Sequence, residues 1–426
     1  MGSSTAAASR AVLPDGWSWS TLGEIADYVN GRAFKEEDWE SHGRPIIRIQ
    51  NLTGTSKTLN RFSKPVDGKY LVEDGDILLS WSATLGVFTY RGEEAILNQH
   101  IFNVHPTIHK RFVYHLLDFH VQQLQRRTHG TGMKHITRKP LLREPIIIPP
   151  DGEQQRIADA LDLMDRTITQ TERLAEKFRA VKSGLLHDLL TRGIGDDGSV
   201  RSLEKTSGRF VESELGFIPA SWSVYSMTEL TTKIVDGVHK TPEYMVAGVP
   251  FLTVENLTKS RSIDFQSARR IAPSDHELFK KRADPRPGDV LVTKDGTLGV
   301  ARVVPAGIQE FSIFVSVAML RPDQTRILPG LIRYFFESAE FSRQLGKQSA
   351  GTGLRHIHLE HFKAFKLAVP PLKEQEMILG AADTIEGAIQ SEYEYREKLQ
   401  RIRNGLTSEL LTGRVRVKIQ TKNRDG

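Results

Sequence analysis

The chain has 426 residues, 58 Lys and Arg against 52 Asp and Glu for a net charge of +6, and no cysteine. Disulfide frameworks, thiolate zinc sites, iron–sulfur clusters and cysteine nucleophiles are therefore excluded. A hydrophobic share of 39% beside 26% charged residues marks a globular chain, the length predicts two or three domains, and the basic balance mildly favours a polyanionic partner. The opening MGSSTAAASRAVLP has no apolar core of the signal-peptide kind. No run of about 18 apolar residues occurs anywhere, so a cytoplasmic protein without a membrane span is expected.

Read in chain order, the sequence is written twice. LPDGWSWSTLGEI from Leu13 is echoed by IPASWSVYSMTEL from Ile218, with Pro14, Trp17, Ser18 and Glu24 recurring as Pro219, Trp222, Ser223 and Glu229 at an offset of 205. Asn51-Leu52-Thr53 recurs as Asn256-Leu257-Thr258 at the same offset. Gly75-Asp76 and Thr84-Leu85-Gly86 match Gly288-Asp289 and Thr297-Leu298-Gly299 at 213. Gly130-Thr131-Gly132, Pro149-Pro150, Glu153-Gln154 and Leu189-Leu190-Thr191 recur at 221. Collinear matches of this kind mark an internal duplication. The growing offset places extra residues in particular loops of the second copy, so two related sites with different ligands are expected.

The first part of each copy reads as mixed α/β. Strands are predicted at Pro45–Ile49, Asp76–Leu79, Val249–Val254 and Asp289–Val292, and helices at Arg111–Gln125 and Pro329–Leu345. The second part reads as one long helix. Apolar residues fall at Ile157, Leu161, Met164, Ile168, Leu174, Phe178, Val181, Leu185 and Leu189. The second copy has Ile378, Ala382, Ile385, Ile389, Tyr395, Leu399, Ile402, Leu406 and Leu410. Steps of three and four residues describe a narrow helical seam. Each helix of ~39 residues would be ~58 Å long. Pro149-Pro150 and Pro370-Pro371 must precede the helices, Asp151 with Gln154 offers a capping box, and Gly193 and Gly413 follow the last turns. A seam this long exceeds what a small domain can cover. An antiparallel two-helix coiled coil is therefore predicted, with ordinary bundle packing as the competing reading. The polar stretch after Gly193 reads as a flexible linker.

Globular part, long helix, globular part, long helix resembles the specificity subunit of type I restriction–modification systems. The likeness runs from Leu13 to Thr412. Its most typical stretches are Pro219 to Trp222, Asp236-Gly237-Val238-His239-Lys240-Thr241-Pro242, Gly248-Val249-Pro250-Phe251, and Gly351 to Ile357 leading into Val369-Pro370-Pro371-Leu372-Lys373-Glu374-Gln375. The first copy departs from the pattern, with Asn30-Gly31-Arg32-Ala33-Phe34-Lys35 in place of the Gly-Val-His-Lys-Thr-Pro element. The resemblance implies an α+β protein in which two pseudo-repeated α/β target recognition domains are separated by an antiparallel two-helix coiled coil. The segments would be a first recognition domain at residues 1–150, a spacer helix at 151–192, a linker at 193–216, a second recognition domain at 217–371, a second spacer helix at 372–413 and a basic tail at 414–426.

The resemblance also implies a division of labour. Each recognition domain would read one half of a bipartite, asymmetric site in double-stranded DNA. The helix pair would set the gap and dock two modification subunits that methylate adenine with S-adenosylmethionine. Two restriction subunits using ATP and Mg would join them. This chain would hold no cofactor and catalyse nothing. A stand-alone DNA-binding or coiled-coil scaffold protein without such partners is the alternative.

The residues themselves offer no catalytic motif. The two Pro-Pro pairs follow Ile148 and Val369 rather than the Asn or Asp that an adenine methyltransferase needs, and neither precedes an aromatic. Gly346-Lys347 is followed by Gln348, which fails the phosphate-loop pattern. Pro14-Asp15 with Asp67-Gly68-Lys69 imitates a nuclease motif but has no counterpart in the second copy. The histidines show no H-E-x-x-H spacing, so no metal site is expected. DNA contacts are expected first from loop cations. Candidates in the first copy are Arg32, Lys35, Lys57, Arg61, Lys64 and Lys134; those in the second are His239, Lys240, Lys259, Arg261, Lys280, Lys281, Arg282, Lys294 and Arg355. An ordinary solvated surface charge is the competing reading for each. The collinear Lys134-His135 and Arg355-His356 follow Gly-Thr-Gly loops that could bring backbone close to a phosphate. His356 and His358 would share a strand face with no acidic or further histidine partner. Ser80 and Ser82, around Trp81, face Thr293-Lys294-Asp295 in the other copy as candidate base-reading loops. Trp17 and Trp222 are expected to be core anchors.

Overall fold

The structure, a computed structural model, describes residues 13–82, 84–128, 138–202, 210–348 and 356–417. It divides into two units, residues 1–172 with 394–426 and residues 173–393. Each unit combines one globular copy, the first half of its own long helix and the second half of the other long helix.

The globular part of the first unit holds two four-stranded sheets. One has the order Ala26–Asn30, Ile101–Pro106, Ile77–Ser80, Gly86–Thr89 and is antiparallel throughout. Ile77–Ser80 is buried at every position, which suits a strand with neighbours on both sides and cover on both faces. The other sheet runs Asn60–Phe62, Arg44–Ile47, Ala95–Leu97, Leu71–Val72, with its middle pair parallel. Ser18–Thr21 pairs with Pro145–Ile148 and so ties the start of the copy to the entry of its long helix.

The second unit repeats this plan. Thr231–Asp236, Val317–Pro322, Val290–Thr293 and Ala301–Val303 form the antiparallel sheet, and Arg269–Ile271, Val249–Leu252 and Ser312–Ile313 the mixed one. The eight-residue helix Pro273–Lys280 stands where the first copy has only Gly68–Tyr70 and Leu71–Val72. It accounts for the later half of the step in offset from 205 to 213, since the strands before it, Asn60–Phe62 and Arg269–Ile271, already pair at an offset of 209. The helix expected over Pro329–Leu345 is two helices, Pro329–Phe336 and Ala339–Gln348. Ser338 makes the break: its hydroxyl donates to Phe335 O at 2.6 Å and accepts from Phe341 N at 3.3 Å, closing one helix and capping the next.

The long helices are Asp151–Thr191 and Leu372–Leu411. Their halves pack antiparallel within each unit. Asp165 and Glu172 meet Arg403 and Arg396 in the first unit, and Lys182 meets Glu386 in the second. The two residue numbers of every such pair add to 568, so the register is the same in both units. In the first unit Ile157, Ala158, Leu161, Leu410 and Leu411 join the domain core around Trp17, Leu22, Ile77 and Phe102. In the second, Leu186, Leu189, Ile378 and Ala382 join Trp222, Val290, Tyr334 and Phe335. Both tryptophans are buried core residues.

The seam departs from the sequence reading at four places. Leu174, Val181, Tyr395 and Ile402 are exposed. The true seam passes one residue later, through Ala175, Lys182, Arg396 and Arg403, and keeps alternating steps of three and four. Ile157, Leu161, Ile168, Leu189, Ile378, Ile389, Leu399 and Leu410 are buried on it, and Met164, Phe178, Leu185, Ile385 and Leu406 are half-buried. The apolar side chain yields because polar partners wait at the true position. Arg403 lies between Asp165 (3.0 Å) and Asp118 (3.2 Å), and Lys182 between Glu386 and Glu337. A half-buried cation flanked by two carboxylates satisfies the pairing that its partial burial demands.

Two further expectations change. Asp151 is inside the helix rather than at its cap: Pro150 O takes the N–H groups of Glu153 and Gln154, and the Gln154 amide donates to Asp151 at 3.1 Å. The stretch after Gly193 is not a free linker where it is described. Ile194 is buried, Arg201 pairs with Glu374, and Phe210–Ser213 with Gly216–Pro219 forms a hairpin.

Candidate nucleic-acid interface

Three repeated devices build the site in each unit. The first anchors the domain on its helix. Glu374 is buried and accepts from Trp222 Nε1 (3.1 Å), Ile194 N (3.0 Å) and the Arg201 guanidinium. In the first unit Glu153 accepts from Trp17 Nε1 (3.2 Å) and from Arg416 (2.7 Å). Burial pushes the Glu153 carboxyl up, but the Arg416 and Trp17 donors outweigh it and hold the group below its ordinary value. The neighbouring Gln375 accepts from Leu328 N (2.8 Å) and donates to Arg326 O and Pro370 O; Gln154 treats His109 N and Pro149 O alike. The repeated Glu-Gln pair thus ties helix, Pro-Pro entry and domain helix together. Its recurrence was visible in sequence, but its buried partners were not.

The second device is a glycine that lets two strand ends touch. A Cβ on Gly31 would lie 2.3 Å from Leu97 O and Asn98 O, and one on Gly237 would lie 2.0 Å from Ile313 O. Only glycine permits that approach. It brings the residue before it, Asn30 or Asp236, against the third device, the loop after the central strand.

That loop is held the same way in both copies. Ser80 Oγ donates to Thr84 O, and Thr293 Oγ1 to Thr297 O. Ser80 is therefore buried and occupied in shaping the loop rather than offered to a ligand; Ser82 is half-buried beside it. The next position carries Trp81 in one copy and Lys294 in the other. Trp81 Nε1 donates to Asn30 Oδ1 at 3.2 Å, and its ring lies 5.5 Å from His100. Lys294 is buried, with Nζ 3.3 Å from Asp236 and 3.2 Å from His356 Nε2. Lys294 is accordingly not the free loop cation expected from sequence. His356 Nδ1 faces Asp295, so the ring stands between that carboxylate and the Lys294 ammonium. Asp295 and His361 supply the acidic and histidine neighbours that sequence reading denied to His356 and His358. The rings of His356 and His358 are 4.6 Å apart, and those of His358 and His361 5.5 Å. Burial, with the nearby His358 and His356, lowers the His361 pKa.

Asp236 collects the cations of the second unit. Arg282 donates to its carboxylate and, at 3.0 Å, to Gly237 O; His239 stands 3.7 Å away. Burial raises the Asp236 pKa, yet Arg282 and Lys294 more than reverse this and keep it ionised. His239 and Lys240 are exposed beside this cluster, as is Lys281.

The remaining predicted cations are spread out. Arg32 is half-buried, its guanidinium 4.4 Å from the Phe62 ring and 5.1 Å from that of Phe34. Lys35 pairs with Glu37, Arg61 with Glu93, Lys259 with Glu255 and Lys280 with Glu310. Arg261 is not on the domain's loop face at all: it lies 4.3 Å from the Tyr393 ring and 3.4 Å from Glu386 on the long helix. Lys57 and Lys64 are exposed. Lys134, His135 and Arg355 lie outside the described residues. No helix among the described residues is long and apolar enough to cross a membrane.

Residues 14–177 match the family described as the type I restriction modification DNA specificity domain. The chain is similar to the type I restriction enzyme MjaVIII specificity subunit of Methanocaldococcus jannaschii, 23% identical over 95% of this chain and 94% of that protein. It is similar also to the EcoBI specificity subunit of Escherichia coli, 23% identical over 88% and 81%. Among solved structures, a chain from a study of assembly and conformational transition in a type I restriction–modification system covers 95% of this chain at TM-score 0.56 and 18% identity. The S subunit of such a system from M. genitalium covers 94% at TM-score 0.51 and 14% identity. These structural likenesses establish the fold, an α+β arrangement of two repeated domains with long helices.

Proposed function

We propose that this chain, which matches the type I restriction modification DNA specificity domain over residues 14–177 and is similar along most of its length to type I specificity subunits, is a recognition subunit rather than a catalyst and reads a bipartite DNA site. Each unit contacts one half-site through its glycine-pinned loop. The observation that carries this is the shared frame with unlike contents. Asn30, Trp81 and His100 in one copy occupy the backbone places of Asp236, Lys294 and Ser316 in the other. Two copies of one scaffold with different polar groups suit two different half-site sequences, because base edges are told apart by the pattern of donors and acceptors they meet. Helices of 41 and 40 residues, ~60 Å long, are long enough to set a gap of about one DNA turn, ~34–36 Å.

The chemistry belongs to partners in this reading. Modification subunits hold S-adenosylmethionine and methylate adenine, and restriction subunits use ATP and Mg. Support for two modification subunits comes from the residues that fell off the seam. Leu174 and Val181 are exposed seven residues apart on one long helix, and Tyr395 and Ile402 occupy the equivalent positions on the other. Two matching apolar faces suit two copies of one partner.

Co-expression with adenine methyltransferase subunits from the same genome, followed by purification and mapping of methylated adenines, tests the proposal. A complex should form, and methylation should occur at one split sequence only when this chain is present. Methylation by the purified chain alone, or by the partners without it, would overturn the reading.

A further inference from the structure

The second unit carries an apolar loop tip that the recognition loops leave unused. Three consecutive residues between Pro242 and Gly248 are exposed: Tyr244 by 38%, Met245 by 50% and Val246 fully. Water is a poor environment for such a run, and most loops of this kind are polar.

This tip is held rigidly. Met245 N donates to Arg270 O at 2.9 Å, forming an antiparallel bridge to the edge of the mixed sheet. Gly248 closes the loop at φ +143°, where an added Cβ would stand 2.2 Å from Ile271 O. The Tyr244 ring lies 6.3 Å from the buried Phe251, and the Arg269 guanidinium covers it at 4.5 Å. Arg269, Lys240 and His239 are exposed around this tip, and the exposed Glu243 precedes it.

The first unit has the same loop with different contents. Trp39 stands where Tyr244 does, with Arg48 5.0 Å from its ring, and Glu40 bridges to Arg61 as Met245 does to Arg270. Its tip continues with Ser41 and His42 and is preceded by Glu36, Glu37 and Asp38. The first tip thus offers one apolar side chain, Trp39, 39% exposed, behind an acidic run that repels a phosphate backbone; the second offers three apolar side chains in a row.

We propose that Tyr244, Met245 and Val246 form a preorganised wedge that unstacks one base step in the half-site bound by the second unit, with no counterpart in the other half-site. Apolar side chains pressed between base steps locally open the stack, and flanking cations hold the adjoining phosphates. The inference rests on the proposed DNA-reading function. A protein partner seated on the same tip is the rival occupant.

The test uses the assembled methyltransferase complex and a duplex carrying its mapped site, with 2-aminopurine placed at each position in turn. Away from the methylated adenines, which the modification subunits must flip out of the stack, fluorescence should rise at one step in one half-site and not in the other. The Met245→Ser/Val246→Ser variant, altered only at exposed side chains, should keep its circular dichroism and its modification subunits. It should lose the fluorescence rise and about tenfold in affinity. Bound DNA without that rise, its survival in the variant, or a variant that sheds its modification subunits would overturn the wedge. Failure of the wild-type complex to bind the mapped site at all would instead remove the function on which the wedge rests.

Discussion

Replacing Glu374 by alanine should unfold the second unit far more readily than any exposed substitution on the same helix. The carboxylate is buried and receives donors from Trp222 Nε1 at 3.1 Å, Ile194 N at 3.0 Å and Arg201. Removing it leaves an indole N–H and a backbone N–H without acceptors and strips a partly buried guanidinium of its counter-ion. Each unmatched buried donor costs about 1–3 kcal/mol, and breaking a buried ion pair from one side costs about 3–5 kcal/mol. These overlap, so a total of about 3–5 kcal/mol is expected. For a unit of this size 1 kcal/mol moves the midpoint by roughly 2–4 °C, so a fall of roughly 6–20 °C should appear in the second unit's transition when unfolding is followed by scanning calorimetry. Glu376→Ala, exposed two residues away, is the control and should stay within about 0.5 kcal/mol. Equal shifts for the two variants would refute the view that this carboxylate anchors the domain to the helix.

Arg403→Met tests the seam. It strands Asp165 and Asp118 and should cost about 3–5 kcal/mol, whereas Ile402→Ser, one residue away and exposed, should change stability little; a larger loss at Ile402, measured by denaturant midpoint, would restore the apolar seam read from sequence. Asp284 supplies a pH dependence. Burial raises its pKa, but Lys233 and Arg321 reverse this and bring it to about 2, below the ordinary value of 3.8. A depressed carboxylate stabilises the fold fully above its unfolded pKa, so this contribution should be whole above about pH 4 and disappear as pH falls towards 2. Asp284→Asn should flatten that limb of the stability curve; an unchanged limb would place the acid sensitivity elsewhere.

The duplication, the order of globular parts and long helices, and the central strands were legible in the sequence because each rests on a local signal. The helices declare themselves by steps of three and four between two Pro-Pro starts and two terminal glycines. Ile77–Ser80 and Val290–Thr293 declare themselves as apolar runs behind a Gly-Asp turn. Repetition multiplied these signals, since a motif that recurs at a steady offset identifies itself without any structure.

What only the tertiary structure decided is which side chain meets which. Hydrophobicity alone favours Ile402 over Arg403 for a buried seam, and that preference fails because Asp165 and Asp118, far away in sequence, are brought to the arginine. Lys294 reads as a free loop cation until Asp236 and His356, 58 and 62 residues away, enclose it. Burial of charge depends on partners, and partners come from folding rather than from neighbours in the chain. Local pattern therefore determined the elements and their duplication. Long-range pairing decided the polar seam, the Glu-Gln anchors and the contents of the two loops on which half-site choice would rest.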